Sequence, residues 1–175
     1  MFVDNENQFS TQGTSGQSVA AFTTGTTALA NVIDSGPLGG QNTPNASSGR
    51  DFGVGYPSWL YFLVITGIAQ ASGTTNIELV SSAAAALTSP NVMLSLTGGA
   101  IAVTGSTIAT SGNALRFAMP RAGVYNATSN PSGWLRYLGI NFVIATTNYT
   151  AGVVNCFLSR DIQDNLLYAA GFTIS

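Results

Sequence analysis

The residues of this chain that could carry chemistry are a few carboxylates and one thiol. Asp161 and Asp164 lie three positions apart after a predicted strand, and Asp51 directly follows Arg50. Two carboxylates at such positions could hydrolyse a glycosidic bond or help to hold Ca²⁺. The alternating acids of a calcium loop are absent, and acidic residues are common in turns between strands. We therefore predict that Asp161 and Asp164 belong to a solvated turn.

The side chains that most enzymes need are missing. The sequence contains no histidine and no lysine, so the usual general base near neutral pH and the Schiff-base nucleophile are both absent. One cysteine without histidine cannot build a zinc site or an intramolecular disulfide. Cys156 falls on the apolar side of a predicted strand, which indicates a buried, inert thiol. We predict no catalysis, no metal and no cofactor.

Composition also limits the partners. Hydrophobic residues make up 45% of the 175 residues, but charged residues make up only 7%, and the net charge is −2. The five cations are widely spaced: Arg50, Arg116, Arg121, Arg136 and Arg160. Nucleic-acid and basic membrane-surface binding both need clustered cations, so we predict neither partner.

The start of the chain lacks a basic region followed by an apolar run, and the longest apolar stretch, residues 59–65, is too short to span a bilayer. We expect synthesis in the cytoplasm.

The elements that position these residues are predicted to be β-strands. Residues 59–65 are apolar at both odd-numbered and even-numbered positions, as in a strand that is covered on both faces. Alternating apolar residues, including Val92/Leu94/Leu96, predict further strands between Gly-, Pro- and Asn-rich turns, and residues 167–174 predict a last one. The alanine-rich stretch 82–87 is the only candidate for a short helix. The pattern predicts an all-β, jelly-roll-like β-sandwich.

The domain organisation follows from composition. Residues 1–28 are rich in Gln, Ser, Thr and Gly, with isolated Phe2, Phe9 and Phe22 as anchors. Such a segment cannot bury a core alone, so we predict an N-terminal arm that is either disordered or ordered against a neighbouring subunit. Residues 29–175 are predicted to form a single domain, with a long loop at 36–49.

Several segments resemble the capsid cement (decoration) protein family of tailed bacteriophages. They are Phe9-Ser10, residues 31–34, residues 50–57, residues 136–138, residues 150–152 and residues 168–173. Each motif alone is weak, but their order and spacing cover nearly the whole chain.

The resemblance implies a jelly-roll domain that forms a homo-oligomer, a dimer or trimer, on the outer capsid surface of the virion. There it would bridge neighbouring subunits of the major capsid protein, after synthesis in the cytoplasm of the bacterial host. The candidate interface residues are Phe2, Phe9, Phe22, Arg50, Asp51, Trp59, Arg121 and Trp134.

The alternative function is a carbohydrate-binding jelly roll, such as a receptor-binding or lectin-like virion protein. Trp59, Trp134, Tyr125 and Tyr149 could stack on sugar rings if they are exposed. Aromatic side chains more often belong to cores or protein interfaces, where they dominate the buried area. A pilin-like strand-exchange subunit would need a missing core strand, and none is evident.

Overall fold

The computed structural model describes residues 8–11, 16–34, 58–96, 101–104, 107–109, 114–119 and 135–159. Within them the chain forms eleven strands and no helix. The strands are β1 (Gln17–Ser18), β2 (Gly25–Ala28), β3 (Ile33–Asp34), β4 (Trp59–Gln70), β5 (Ser72–Ser82), β6 (Asn91–Ser95), β7 (Ile101–Thr104), β8 (Thr107–Ala109), β9 (Ala114–Ala118), β10 (Tyr137–Thr146) and β11 (Tyr149–Ser159).

These strands build two antiparallel sheets. In sheet A the order is β1-β11-β4-β8, and β9 also pairs with β4. In sheet B the order is β2-β10-β5-β6, while β3 also pairs with β10 and β7 with β5. The predicted all-β sandwich is therefore confirmed, whereas the jelly-roll connectivity stays a prediction. The predicted strand 167–174 and the loop 36–49 lie outside the described residues.

The core lies between the two sheets and follows from strand alternation, since successive side chains point to opposite faces. Phe142 of sheet B is at its centre, with its ring centroid 6.2 Å from Phe62 and 6.0 Å from Tyr149, both of sheet A. Apolar side chains from the four long strands surround this cluster and are almost fully buried: Leu60, Val64, Ile68, Ile77, Leu79, Leu138, Ile140, Ile144, Val154, Cys156 and Leu158.

The chain passes from one sheet to the other at two tight corners, between β4 and β5 and between β10 and β11, and a buried polar network ties both corners. Gln70, at the end of β4, is 2% exposed. Its Nε2 donates to the carbonyls of Ala145 (3.0 Å) and Thr147 (2.7 Å), and its Oε1 accepts from Thr75 Oγ1 (3.0 Å). Tyr149 Oη donates to the same Thr75 oxygen at 3.1 Å. Both corners are therefore held by one set of hydrogen bonds.

The predicted short helix at 82–87 is wrong. Residues 83–86 form bends and turns, and Leu87 has a φ of 52°, outside the helical region. The Ser82 hydroxyl accepts from Ala84 N (3.2 Å) and donates to Thr88 O (3.0 Å), so it satisfies backbone groups locally. A short alanine run also cannot offset the cost of helix nucleation.

The predicted apolar face of β6 holds for Leu94, which packs against the core, and for Leu96 just after the strand, which belongs to it, but not for Val92. Val92 is 38% exposed, and its neighbour Met93 is buried in its place. The cause is an irregularity in the pairing with β5, where Leu79 lies opposite Leu94 but Val80 lies opposite Val92. The extra residue, Met93, turns towards the core.

The described part of the predicted N-terminal arm is packed against the domain. Residues 8–11 and β1 lie along β11, and residues 19–24 lead into β2, which lies along β10. Just after β2, Asn31 donates to Phe9 O (2.9 Å) from its backbone N and to Ser10 O (2.6 Å) from Nδ2, and Ala30 N donates to Gln17 Oε1 at 2.9 Å. Residues 8–34, where described, therefore close one side of the sandwich across both sheets.

Candidate interaction surface

The outer face of sheet A carries aromatic side chains, because β4 is apolar on both parities. Leu60 and Phe62 point into the core, so their neighbours Trp59 and Tyr61 point outwards. Tyr61 stacks on Phe157 of β11, with ring centroids 5.2 Å apart and planes at 8°. Both side chains are almost fully buried although they lie outside the core cluster. The sequence-based expectation that this strand is covered on both faces is thus confirmed at Tyr61.

A cation lies over the aromatic ring at the start of β4. Arg116 of β9 is directly opposite Tyr61 in the register, and its guanidinium carbon is 4.9 Å from the centroid of the Trp59 ring. Arg116 is exposed and Trp59 is half-buried. A guanidinium in this position is attracted to the face of the indole and occupies the surface on which a ligand would stack.

The outer face of sheet B is polar around Glu78. Glu78 of β5 accepts from Asn76 Nδ2 at 2.5 Å, and Asn76 Oδ1 accepts from Ser95 Oγ at 2.8 Å. Burial raises the pKa of Glu78, and the hydrogen bond from Asn76 opposes that shift. On the next strand, Asn141 lies opposite Glu78 and Val143 lies opposite Asn76. Around Glu78 this face offers amides, a hydroxyl and the aliphatic side chain of Val143.

Charged side chains are rare across the described residues. They are Asp34, Glu78, Arg116 and Arg136. Arg136 donates two hydrogen bonds to the Asp34 carboxylate, from Nε at 2.8 Å and from Nη2 at 2.7 Å. The carboxylate raises the pKa of Arg136 through these bonds, and the guanidinium also lies over the Tyr137 ring at 5.0 Å. Half of these few charges therefore neutralise each other.

Large apolar side chains reach solvent at separate places on the described surface. Ile65 lies on the outer face of sheet A and Val143 on that of sheet B, while Val92 and Leu115 lie on β6 and β9. Each is at least 36% exposed. These side chains can provide apolar contact with another protein.

The structure brings few of the predicted interface residues to the surface. Phe9 is fully buried, and Phe22 packs edge-on against Phe142 at 5.3 Å, so both are core residues of this chain. Trp59 is the only candidate in the described residues that is partly exposed. The others lie outside the described residues: Phe2, Arg50, Asp51, Arg121 and Trp134.

The residues considered for chemistry and for sugar binding are placed as follows. Cys156 is fully buried, and burial raises the pKa of its thiol well above the ordinary value, as expected for an inert thiol. Tyr149 is 3% exposed, so it offers no stacking platform. Asp161, Asp164 and Tyr125 lie outside the described residues.

Searches for metal and membrane features concern the described part only. There, no three His, Cys, Asp or Glu side chains gather in a way that could hold a metal ion. The same residues include no helix of the length and apolarity required to cross a bilayer.

Sequence reasoning missed the exposed aliphatic side chains and the Arg136–Asp34 pair. Ile65 could have been found, because it ends an apolar run in which both parities cannot face one core. No signal in the sequence paired Arg136 with Asp34, which lies 102 residues away on the edge strand β3.

Comparison with known families gives one match. The Bbp16 family model matches residues 14–158, which cover the eleven described strands except the last residue of β11. The chain therefore belongs to the Bbp16 family, whose name indicates a phage-related protein. A search of curated proteins finds no match to the chain.

Proposed function

We propose that this Bbp16-family chain is a capsid cement protein, which binds the outer surface of a phage capsid and bridges major capsid subunits. It acts in the virion as a homo-oligomer, a dimer or trimer, after synthesis in the cytoplasm of the bacterial host. It needs no cofactor and catalyses no reaction, and it binds neither nucleic acid nor membrane.

The observation that supports this proposal is the scarcity of charge on the outer surface formed by the described strands. The described residues include four charged side chains, two of which pair with each other, while Ile65 and Val143 expose apolar area on opposite faces. Interface cores are depleted of charge and enriched in apolar and aromatic groups. A domain whose two broad faces both have this character is suited to contact more than one neighbour.

The physical role follows from mass action. A ligand that binds the assembled shell but not its free subunits stabilises the shell by RT ln(1 + L/Kd), where L is the free ligand concentration, so the stabilisation grows with ligand concentration. Linking several contacts through one oligomer raises the effective concentration at each site, so no single contact has to be strong. A protein that bridges subunits through moderate apolar contacts on two faces would bind the assembled shell in preference to free subunits, and it would gain affinity from its linked contacts.

The test is co-sedimentation with capsids assembled from the major capsid protein of the same phage. We expect saturable binding in fixed stoichiometry. Binding should survive near-molar NaCl, because exposed ion pairs contribute only about 0–1 kcal/mol each and salt screens mainly those. Release at a few hundred millimolar NaCl would show that charge holds the complex and would contradict the proposal.

Two matched variants locate the contact. Ile65→Gln alters the outer face of sheet A and Val143→Gln alters that of sheet B, and the two side chains are similarly exposed, at 40% and 36%. A bridging protein should lose capsid affinity in at least one of them while the isolated domain unfolds at an unchanged temperature. Full capsid binding by both variants would show that the contact lies on other residues, whereas retention on glycan resin instead of capsids would favour the carbohydrate-binding function.

A further inference from the structure

One edge of sheet A is covered by the N-terminal part of the chain. Strand β11 pairs with β4 on one side. On its other side lie residues 8–11 and 16–18, which we call the edge cover. Gln8 bridges to Phe157, Phe9 N donates to Cys156 O at 2.8 Å, and β1 pairs with Val153 and Val154. The edge cover thus runs antiparallel along β11.

The edge cover is attached by a short backbone pairing and by side chains. Asn155 Oδ1 accepts from Gln8 Nε2 at 2.9 Å and from Ser10 Oγ at 2.7 Å, and Ser10 Oγ also accepts from Cys156 N at 3.2 Å. Phe9 enters the core cluster and is fully buried. The strand pairing itself is short, with a two-residue strand and one isolated bridge. A short edge strand held in this way can open without unfolding the sandwich.

The strand under the edge cover lacks the usual protection of an exposed edge. β11, Tyr149–Ser159, contains no charged residue and no proline. Its irregular pairing with β4 is confined to Tyr149–Val154, so the stretch from Asn155 to Ser159 is regular. Proteins usually protect such edges with charges, prolines or bulges, because unpaired backbone groups recruit another strand.

We propose that the edge cover prevents β11 from pairing with β11 of a second copy of this chain. When the cover opens, two copies join through their β11 edges in antiparallel orientation. This contact is self-complementary, since each strand offers the same backbone groups to the other. The proposal concerns the sandwich alone and does not depend on capsid binding.

Gly16 provides a test that leaves β11 unchanged. Gly16 has a φ of +70°, and a Cβ there would lie 2.7 Å from Val154 O and 2.7 Å from Ile65 Cδ1. Gly16→Ala should therefore push the cover away from the edge. Gly25→Ala is the matched control, because Gly25 also has a positive φ, +108°, but a Cβ there meets no atom within 4 Å. Gly25 lies in β2 on sheet B.

The measurements are hydrogen exchange and sedimentation velocity of the full chain. In Gly16→Ala, exchange at the Phe9 amide should rise by roughly ten-fold or more, and the sedimenting mass should double relative to the wild type. The Gly25→Ala variant should show neither change. Adding Asn155→Lys to Gly16→Ala should restore the wild-type mass, because a charge on an edge strand opposes pairing.

The other outcomes overturn the proposal. These are faster Phe9 exchange at unchanged mass, association in Gly25→Ala as well, and association that persists with Asn155→Lys. If Gly16→Ala does not fold, Asn155→Ala replaces it, because it removes the acceptor of Gln8 and Ser10 and should give the same faster Phe9 exchange and doubled mass. Unchanged Phe9 exchange in the detaching variant would also refute it.

Discussion

Replacing Gln70 should reveal how strongly the buried corner network stabilises the sandwich. Gln70→Met keeps an unbranched side chain of similar length but removes three hydrogen bonds, to Ala145 O, Thr147 O and Thr75 Oγ1. Each such bond contributes about 1 kcal/mol net. The free energy of unfolding should therefore fall by about 3 kcal/mol, which for a chain of this size lowers Tm by about 6–12 °C.

The assay is thermal and denaturant unfolding followed by far-UV circular dichroism. The matched control is Gln17→Met, because Gln17 Oε1 accepts from Thr11 N (3.3 Å) and Ala30 N (2.9 Å) in exposed surroundings where water can replace it. That variant should lose less than about 1 kcal/mol. Equal losses at Gln70 and Gln17 would refute the idea that the buried corner is a major source of stability.

Three further predictions concern buried groups. Burial raises the pKa of Tyr149 from 10.0 to about 12. The unfolded state therefore loses this proton first, and stability should fall as pH rises from 10 to 12; Tyr149→Phe should flatten that slope in pH-dependent unfolding curves. Ser81 Oγ is buried without a hydrogen-bond partner among the described residues, so Ser81→Ala should raise the free energy of unfolding by about 1 kcal/mol, and a loss of stability would contradict this. Cys156 should react with a thiol reagent only after unfolding, and rapid labelling of the native chain would contradict the burial of its thiol.

The local pattern of the sequence determined the fold class. Alternating apolar residues predict strands wherever one face meets the core, and the double-sided apolar run at the start of β4 predicts burial on both faces, as found at Tyr61. The lack of histidine and lysine likewise limited the chemistry before any geometry was known. These properties depend on residue type and period alone.

Tertiary structure decided what depends on distant partners. Phe9 and Phe22 lie in a stretch whose composition is typical of disorder, yet both side chains are buried. Phe9 N donates to Cys156 O and the Phe22 ring packs against the Phe142 ring, and both partners lie more than a hundred residues away in the sequence. Composition measures only what a segment can bury by itself, whereas here the apolar surface is supplied by β10 and β11. The exposure of Val92 depended in the same way on its pairing with β5. Pairing across the sandwich, which local periodicity does not encode, therefore determined which candidate residues reach the surface.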